Sequence, residues 1–578
     1  MVDIRRPGAS APLRLHQATD FQGGLNLKSD WFRLQENESP DMLNVDVHQS
    51  GGIRQREGVT PFFNTPWDGG AGTATYGDAT GTYGGTVLGG TYGGTSGADS
   101  YVENIWPLYL ASGSHRFLID ASDDRIYEYS SGAWTDIGAS SNSNGYLNAI
   151  TYFDRNYITQ WAEAACLTWD GTTLTTLSDP AATSWQASIP AVTPTTPGSH
   201  MPRARFIATN NEHTFVAYTS EGGTSYPNRI RFSHPGDPGS WREDDWLTIG
   251  EAGSGEAITG LASVADHLLI FKRKAVYLLT GYSASSFQII KIADNIGSIC
   301  QRTISVGGGR VYFWDPHDGL FVYTPNGYSS DRGAGVQWLF DELHPLLSEN
   351  LINVDDCTSN AFIGHLDSRI WCRMPMSDSS VATYVFDTVT GTWTKYDLDV
   401  GPFLEFDDGD YKFIGANRLD DNYKILQLAD TDSEFDDYGD NEYQINAYYT
   451  TAWYTAQTPT IRKNWKKPEF VVNYEGEQDI VLRMDVYRDY ESEPRKQLAV
   501  TRSGTGTVAL WDTALWDSAV WAGGFATDDQ TFVQKVGSLG RGYGVALKIY
   551  VPTDLMNQKV GWNIPHITLK YKEKPIRN

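Results

Sequence analysis

The stretch Tyr323-Thr-Pro-Asn-Gly-Tyr328 carries the pattern that decides the fold, because two aromatic residues enclose a turn of Pro, Asn and Gly. Shortly before it, Arg310-Val-Tyr-Phe-Trp314 has the pattern of a short β-strand. Aromatic residues on both sides of a tight turn are typical of two strands that pair across it. The stretch therefore predicts a β-hairpin.

The same unit recurs along the chain. The other copies are residues 129–134, 169–174, 232–241, 277–282 and 386–393, with a weaker seventh copy near Ile425. The six full copies begin 40, 63, 45, 46 and 63 residues apart. A spacing of about 40 to 60 residues with one hairpin per unit is typical of four-stranded propeller blades, which bury their faces only against their neighbours.

The pattern predicts an all-β fold with a β-propeller of about seven blades over residues 102–440. Packed β-sandwiches with ordinary hairpins are the alternative, because aromatic residues flank turns in any antiparallel sheet. For the propeller, we expect ring closure by the pairing of an early strand, residues 52–56, with a late one.

The composition separates this chain from several classes of protein. Its 578 residues carry a net charge of −26, from 45 Lys and Arg against 71 Asp and Glu, and 13% of them are aromatic. That aromatic content is too high for a disordered chain. Phosphate binding depends on Lys and Arg, so the charge argues against tight binding of DNA.

The cysteines and the apolar runs exclude further classes. Cys166, Cys300, Cys357 and Cys372 form no CxxC motif and have no His cluster nearby, so we expect buried thiols and no zinc or other cofactor. The longest apolar runs fall far short of the ~20 residues that span a bilayer. We therefore expect a protein without a membrane anchor.

Charge and composition also suggest how the chain is divided. We expect an N-terminal arm with the first strands at 1–67, a Gly/Thr-rich loop at 68–101, the propeller at 102–440 and a second, sandwich-like β domain at 441–578. Between 397 and 442 there are 15 acidic residues against Lys412, Arg418 and Lys424, a net of −12, whereas 443–578 has 17 basic and 14 acidic residues. This change of sign places the boundary near residue 440.

Two segments are candidates for functional surfaces. Asp407, Asp408, Asp410, Asp436 and Asp437 of the acidic stretch either line a channel or belong to a solvated outer loop. Residues 430–437 alternate carboxylates in a way that could also bind Ca²⁺, although they lack the central Gly and the spaced Glu of an EF-hand loop. Trp511, Trp516 and Trp521 recur every five residues and either fill the core of their own domain or anchor a subunit interface.

Motifs of familiar enzymes are missing from the sequence. It contains no phosphate-binding GxxxxGK[ST] loop, no HExxH and no nucleophile elbow in a strand-turn-helix setting. Paired carboxylates are plentiful, so sugar cleavage through two acidic residues stays open. We expect a protein that is not an enzyme.

Short motifs in the N-terminal half resemble one known family. They are Phe21-Gln-Gly-Gly-Leu-Asn-Leu27, Glu38-Ser-Pro-Asp-Met-Leu-Asn-Val-Asp46, Gly51-Gly-Ile-Arg-Gln-Arg-Glu-Gly58 and a segment from Ala257 through Val276-Tyr-Leu-Leu-Thr-Gly281 to Gly297. Together they resemble the bacteriophage tail proteins of the nozzle or tail-tubular-B kind. The insertion at 68–101 and the Trp run depart from that pattern.

The resemblance implies a structural component of the virion tail. Such proteins form a homo-oligomeric ring, a hexamer in this family, below the portal and adaptor, continue the channel for double-stranded DNA and often hold tail fibres or spikes. Carboxylates suit such a channel, because like charge within about 8–10 Å keeps DNA from adhering to the wall. The alternative is a tailspike-type propeller that binds or cleaves carbohydrate.

Overall fold

The computed structural model describes residues 12–62 and 101–573, apart from 114, 131, 141–146, 162–163, 182–184, 186–199, 251–255, 328, 331–332, 408–410, 418–424, 429–435, 438–442, 476–479, 503–528 and 553–560. Contacts divide the chain into two units. The propeller unit comprises Pro61–Thr383 and Leu398–Leu428, and the two-sheet unit comprises Met1–Thr60, Tyr384–Asp397 and Ala429–Asn578.

Strands dominate both units. Within the described residues, helical structure is limited to α1 (Pro345–Ser348), α2 (Cys357–Asn360) and the 3-10 turn Gln301–Thr303. No helix of this part is long and apolar enough to cross a membrane. The N-terminal segment contributes seven short strands: β1 (Arg14–Ala18), β2 (Gly24–Leu25), β3 (Glu38–Ser39), β4 (Met42–Leu43), β5 (Val45–Val47), β6 (Ile53–Gln55) and β7 (Val59–Pro61).

Three four-stranded antiparallel sheets follow, each with its strands in chain order. The first contains β8 (Val102–Tyr109), β9 (His115–Ala121), β10 (Arg125–Ser130) and β11 (Ala133–Ala139). The second contains β12 (Asn148–Tyr152), β13 (Arg155–Thr159), β14 (Leu167–Trp169) and β15 (Leu174–Thr176). The third contains β16 (Arg203–Asn210), β17 (His213–Glu221), β18 (Thr224–Phe232) and β19 (Trp246–Thr248).

Four more sheets continue the series. The fourth contains β20 (Ile258–Val264), β21 (His267–Lys272), β22 (Ala275–Thr280) and β23 (Gln288–Asp294). The fifth contains β24 (Ile304–Gly307), β25 (Arg310–Asp315), β26 (Gly319–Tyr323) and β29 (Val336–Trp338), with the hairpin of β27 (Ser329–Ser330) and β28 (Gly333–Ala334) before its last strand. The sixth contains β30 (Phe362–Leu366), β31 (Arg369–Pro375), β32 (Val381–Asp387) and β33 (Thr392–Tyr396), and the seventh begins with β34 (Val400–Asp407), β35 (Tyr411–Asn417) and β36 (Ile425–Leu428).

The first strands of the seven sheets form a closed ring. Strands β8, β12, β16, β20, β24, β30 and β34 lie beside one another in this order, and β34 also lies beside β8. Ring closure removes the exposed sheet edges that would otherwise invite aggregation. The prediction of a seven-bladed β-propeller is confirmed.

Hydrophobic cores lie between successive blades. One core joins Leu118 of the first sheet to Ile158 of the second, and another joins Phe215 of the third to Ile270 of the fourth. A single blade has too little apolar surface to be stable alone, so each blade depends on its neighbours. The four cysteines are free and buried, as expected.

The recurring aromatic-turn-aromatic unit has one place in every blade. Each of its six full copies connects the third strand of a sheet to the fourth, and Ile425 begins the third strand of the seventh sheet. Asx turns shape two of these connections: the Asp170 carboxylate accepts the N–H of Thr172 at 2.9 Å, and that of Asp387 accepts the N–H of Val389 at 2.8 Å. The repeat seen in the sequence therefore marks the connection to the outer strand.

The segment that closes the ring differs from the one expected. Strand β6, within the predicted closing segment 52–56, pairs with β5 and with a C-terminal strand, whereas the next early strand, β7, lies beside the late strand β36 in the seventh sheet. Phe62, directly after β7, donates its N–H to the carbonyl of Ile425 at 2.9 Å and packs against the rings of Phe117 and Tyr129. The large apolar side chain of Phe62 joins the last blade to the first, while Ile53 is buried in the other unit.

The two-sheet unit combines strands from both ends of the chain. Its C-terminal strands are β37 (Asp436–Asp437), β38 (Tyr443–Gln444), β39 (Tyr448–Thr450), β40 (Lys463–Trp465), β41 (Glu469–Glu475), β42 (Ile480–Arg488), β43 (Lys496–Arg502), β44 (Asp529–Lys535), β45 (Gly540–Gly542), β46 (Val545–Tyr550) and β47 (Gly561–Glu573). One sheet has the order β44-β41-β47-β40-β45, with β1 and β6 also paired to β47, and the other has the order β4-β39-β46-β42-β43. Strands β1, β4, β5 and β6 of the N-terminal segment thus belong to these two sheets, whereas β2 pairs with β3, and β37 pairs with β7 and β38.

Candidate functional site

A cavity of about 150 Å³ lies at the end of the propeller ring where the inner strands begin. It takes residues from the starts of four inner strands and from the 3-10 turn that precedes the fifth. The lining residues are Asn104, Leu147, Asn148, Arg205, Phe206, Ala257, Ile258, Thr259, Ile299, Cys300, Gln301, Arg302 and Thr358. We term this cavity the mouth cavity.

Arg205 is held in place by aromatic rings and by its own backbone. Its guanidinium carbon lies 3.4 Å from the centre of the Trp161 ring and 4.7 Å from that of Tyr218. The backbone carbonyl of Arg205 accepts hydrogen bonds from the Asn148 amide at 2.9 Å and the Thr159 hydroxyl at 3.0 Å. Stacking on aromatic faces fixes the plane of the guanidinium group while leaving its charge intact.

Arg302 is the second cation of the mouth cavity. Its Nη2 lies 3.4 Å from a carboxylate oxygen of Glu103, and its Nη1 donates to the carbonyl of Ser359 at 2.9 Å. The guanidinium carbon also lies 5.4 Å from the centre of the Phe362 ring. Because both side chains of the ion pair are mostly buried, water screens their attraction poorly.

Asp120 lies behind this pair, next to Asn104. The Asn104 amide donates to the Asp120 carboxyl group at 3.4 Å, and Asp120 is 2% exposed. Burial, and then the nearby negative charge of Glu103, hold the pKa of Asp120 well above its ordinary range. Burial disfavours the charged form of a carboxyl group, so this side chain is held toward its neutral form.

The fourth and fifth blades are joined at the cavity wall by hydrogen bonds between the Gln301 side chain and the Leu261 backbone, which we term the clamp. The Gln301 side chain accepts the N–H of Leu261 at 2.8 Å and donates to the Leu261 carbonyl at 2.9 Å. The neighbouring glycine leaves room for these side chains, since a Cβ on Gly260 would lie 2.4 Å from Ile304 Cδ1 and 2.8 Å from Gln301 Oε1. These contacts make the 3-10 turn a rigid part of the cavity wall.

The opposite end of the ring is acidic. Four of the described turns that follow the inner strands carry a carboxylate, and a fifth carboxylate ends the inner strand β34; we term these residues the inner-turn carboxylates: Asp154, Glu212, Asp266, Asp367 and Asp407. Glu405 is exposed two residues before Asp407, and one of its oxygens lies 3.9 Å from His365 Nδ1. Burial lowers the pKa of His365 despite this carboxylate.

The predicted acidic residues have different outcomes. Asp407 ends the inner strand β34. Asp436 and Asp437 form β37, a strand of the two-sheet unit. Asp408, Asp410 and residues 430–435 lie outside the described residues, and the described part contains no group of three His, Cys, Asp or Glu side chains that could hold a metal ion.

The Trp run and the other acidic side chains complete this comparison. Trp511, Trp516 and Trp521 lie outside the described residues. Asp397 and Asp399, also within the acidic stretch, form ion pairs with Arg56 at 3.4 Å and with Arg373 at 2.5 Å. These two carboxylates therefore hold elements together, although the Asp397 side chain is still 44% exposed.

Several buried carboxylates that could be considered for sugar cleavage are held by basic or N–H groups. Glu221 accepts hydrogen bonds from Arg231 Nε at 2.6 Å and Arg229 Nη1 at 2.7 Å. Burial alone would raise the pKa of Glu221, but the hydrogen bonds from Arg231 and Thr219 outweigh it, so this pKa lies below its ordinary value. A carboxylate held in its charged form by two arginines is a poor general acid.

The N-terminal motifs meet in a polar cluster of the two-sheet unit, in which all members but Asp397 are buried. We term Asn44, Asp46, Arg56, Tyr396 and Asp397 the Arg56 cluster. Arg56 is 2% exposed, and it donates from Nε to Asn44 Oδ1 at 2.9 Å and from Nη2 to Asp397 at 3.4 Å. The Tyr396 hydroxyl donates to Asp46, and the Asp397 N–H donates to Asn44 Oδ1 at 3.2 Å.

The glycine pair of the first motif has a steric role beside this cluster. Gly24 has a φ of +61°, and a Cβ there would lie 2.9 Å from the carbonyl oxygen of Trp393. A Cβ on Gly23 would lie 2.5 Å from the side chain of Glu38. Only glycine permits the backbone of this motif to approach strand β33 so closely.

The sequence did not single out the two arginines of the mouth cavity. Arg205 lies in the segment Met201-Pro-Arg-Ala-Arg-Phe206, where Arg203 and Arg205 share one face of a strand. Arg302 follows Cys300 by two positions. The pair Arg203 and Arg205 on one strand face, in a chain this acidic, was the sequence signal that could have pointed to Arg205.

Comparison with known proteins adds a likeness of fold. No family model and no curated protein matches the chain. It is similar to the solved structure of BBS1N in complex with ARL6DN, at 9% identity and a TM-score of 0.35, over 57% of this chain and 93% of that one. It is also similar to the AfRom2 CNH domain, at 9% identity and a TM-score of 0.32, over 57% of this chain and 95% of that one.

Proposed function

We propose that this protein is a structural component of a phage tail that assembles into a nozzle ring below the portal and adaptor. The observation that carries the proposal is the Arg56 cluster, in which residues from two of the motifs that resemble tail proteins meet. Asn44 and Asp46 come from the second motif and Arg56 from the third. These residues hold the N-terminal strands in place.

The size of the mouth cavity bears on where DNA would pass. A cavity of about 150 Å³ matches an engineered cavity that holds one benzene molecule. The major groove of B-DNA alone is about 12 Å wide, so a duplex does not fit in this cavity. In this proposal the DNA channel lies between subunits and not along the axis of each propeller.

The oligomeric state is the first test of the proposal. We expect negative-stain images of the purified protein or of the virion to show rings, or a cone at the tail tip. Compact trimers would favour the carbohydrate-binding tailspike alternative, and isolated monomers at high concentration would contradict both assemblies. Circular dichroism of the purified protein serves as the control for folding, so that a failure to form rings is not caused by unfolded protein.

The acidic stretch supplies a second test. Asp407, Asp408, Asp410, Asp436 and Asp437 are proposed to face the channel or its rim and to repel DNA. Changing all five to Asn should leave assembly unchanged and slow genome ejection, most strongly at low ionic strength, because salt screens their field over about 8–10 Å. Wild-type ejection rates at every salt concentration would place these residues on an outer surface.

The Trp run supplies a third test. Trp511, Trp516 and Trp521 are proposed to contribute to contacts with another subunit or with the adaptor, since truncation of a Trp hot spot costs roughly 2 kcal/mol or more. Changing all three to Ala should block incorporation into tails while the propeller stays folded. Normal assembly of the variant would show that these rings fill their own domain.

A further inference from the structure

We propose that the mouth cavity of the propeller is a binding site for a small oxyanion, a phosphate or a carboxylate group, held by Arg205 and Arg302. The site goes beyond the proposed tail function, which requires no ligand of the propeller. It would accept either a free anion or the acidic group of a partner protein.

The charge of the lining is the first argument. The chain as a whole has a net charge of −26, yet the two ionised side chains among the lining residues, Arg205 and Arg302, are both positive. Glu103 contacts Arg302 from outside the lining, and burial holds Asp120 toward its neutral form. Glu103 offsets the charge of Arg302, so the net positive charge of the cavity comes from Arg205, and in an acidic protein this local positive charge favours an anion.

The geometry of the donors is the second argument. Guanidinium groups bind phosphate and carboxylate oxygens through paired N–H donors, and they do so best when the side chain is already ordered. Trp161 orders Arg205 by stacking, and Ser359 and Glu103 order Arg302. Little conformational entropy is then lost when the anion binds.

The volume limits the ligand. At about 150 Å³ the cavity has the size that holds one benzene molecule, whereas drug-sized ligands occupy roughly 300 Å³ or more. A phosphate ion or a single carboxylate group fits this space. A nucleotide or an oligosaccharide does not, so the ligand is the charged group itself.

The position of the cavity gives such a ligand a structural consequence. Asn104, Asn148, Arg205 and Thr259 come from four successive blades, and the 3-10 turn leads into a fifth. An anion bound there would contact several blades at once. Binding should therefore raise the unfolding temperature of the propeller as well as give a titration signal.

The test titrates the full-length protein with sodium phosphate and, separately, with sodium acetate, at constant ionic strength adjusted with chloride. We expect saturable binding with a dissociation constant in the range of about 0.1–10 mM and a matching rise in unfolding temperature. Binding of phosphate alone would identify a phosphate site, and binding of acetate alone would identify a site for protein carboxylates. Absence of saturable binding of both anions would overturn the proposal.

Two variants and a control make the test specific. Arg205→Gln should weaken binding by about tenfold or more, because it removes a charge-assisted contact. Arg273→Gln serves as the matched control, since Arg273 is an exposed arginine of the same unit and is not among the lining residues. Equal weakening by both variants, or no weakening by Arg205→Gln, would contradict the assignment.

A variant that binds phosphate more tightly shows that changes in affinity at this site are not caused by misfolding. Glu103→Gln removes the carboxylate that competes for Arg302, so it should tighten phosphate binding by about threefold or more. A misfolded protein cannot show tighter saturable binding. Unchanged or weaker binding by a folded Glu103→Gln variant, measured by circular dichroism and titration, would show that Arg302 does not contact the anion.

Discussion

Arg56 shows how one buried charge organises the N-terminal segment. Its guanidinium group donates to Asn44, to the Glu57 carbonyl and to Asp397. Arg56→Met keeps much of the volume but leaves the buried Asn44 acceptor without its donor, so we expect a loss of about 1–3 kcal/mol in the free energy of unfolding. Chemical denaturation measures this loss. Arg33→Met, at an exposed arginine, is the control, and equal stability of the two variants would show that the cluster is dispensable.

The buried carboxyl group of Asp120 makes the stability of the protein depend on pH. Its pKa is raised in the folded protein, so its contribution to stability is complete below its unfolded pKa of about 3.9 and is lost as the pH rises through the folded pKa. Asp120→Asn removes this penalty, and we expect a higher unfolding temperature than wild type at pH 7. The gain should shrink toward pH 4.

The control for this prediction is Asp244→Asn, at an exposed aspartate of the same unit. Thermal unfolding of the three proteins between pH 4 and pH 8 measures the difference. A variant that is less stable than wild type at pH 7 would show that the Asp120 carboxylate is charged and stabilising. The hydrogen bond from Asn104, which favours the charged carboxylate, would then outweigh the burial that disfavours it.

At the scale of elements, the blades are joined by side chains that bond to the backbone of the next blade. Gln301 does so at Leu261, with both a donor and an acceptor. Gln301→Ala leaves one backbone N–H and one carbonyl without these bonds, and each costs about 1–3 kcal/mol when it is buried. We therefore expect a clear fall in the stability of the propeller.

Gln337→Ala is the matched control, because Gln337 is exposed on β29 in the fifth blade. Hydrogen exchange of the Leu261 amide reports on the clamp directly, and it should accelerate in Gln301→Ala and not in Gln337→Ala. Equal exchange rates in both variants would mean that the inner strand is protected without the clamp.

At the scale of the whole molecule, Phe62 packs in the core where the last blade meets the first and the ring closes. It is 3% exposed and packs on Phe117 and Tyr129 of the first blade. Phe62→Ala should destabilise the propeller by about 3–5 kcal/mol, the usual cost of deleting a buried ring. Phe32→Ala, at a residue that is 59% exposed, is the control. Limited proteolysis measures opening, and equal resistance of both variants would contradict closure at Phe62.

The sequence by itself determined the class of fold. Aromatic residues on both sides of a turn, repeated every 40 to 63 residues, are a local signal, because a strand and its hairpin partner are close in sequence. The burial of the four thiols was likewise readable, since no metal or disulfide spacing accompanies them. Both predictions rest on short-range chemistry.

Only the tertiary structure decided which distant residues meet. Arg205 and Arg302 line one cavity although 97 positions separate them, and Arg56 reaches Asp397 across 341 positions. The tertiary structure also decided that Phe62, and not residues 52–56, packs where the ring closes. Local patterns specify a strand and its hairpin, but the packing of buried side chains selects which strand closes a ring and which arginines share a cavity, because that packing depends on the whole chain at once.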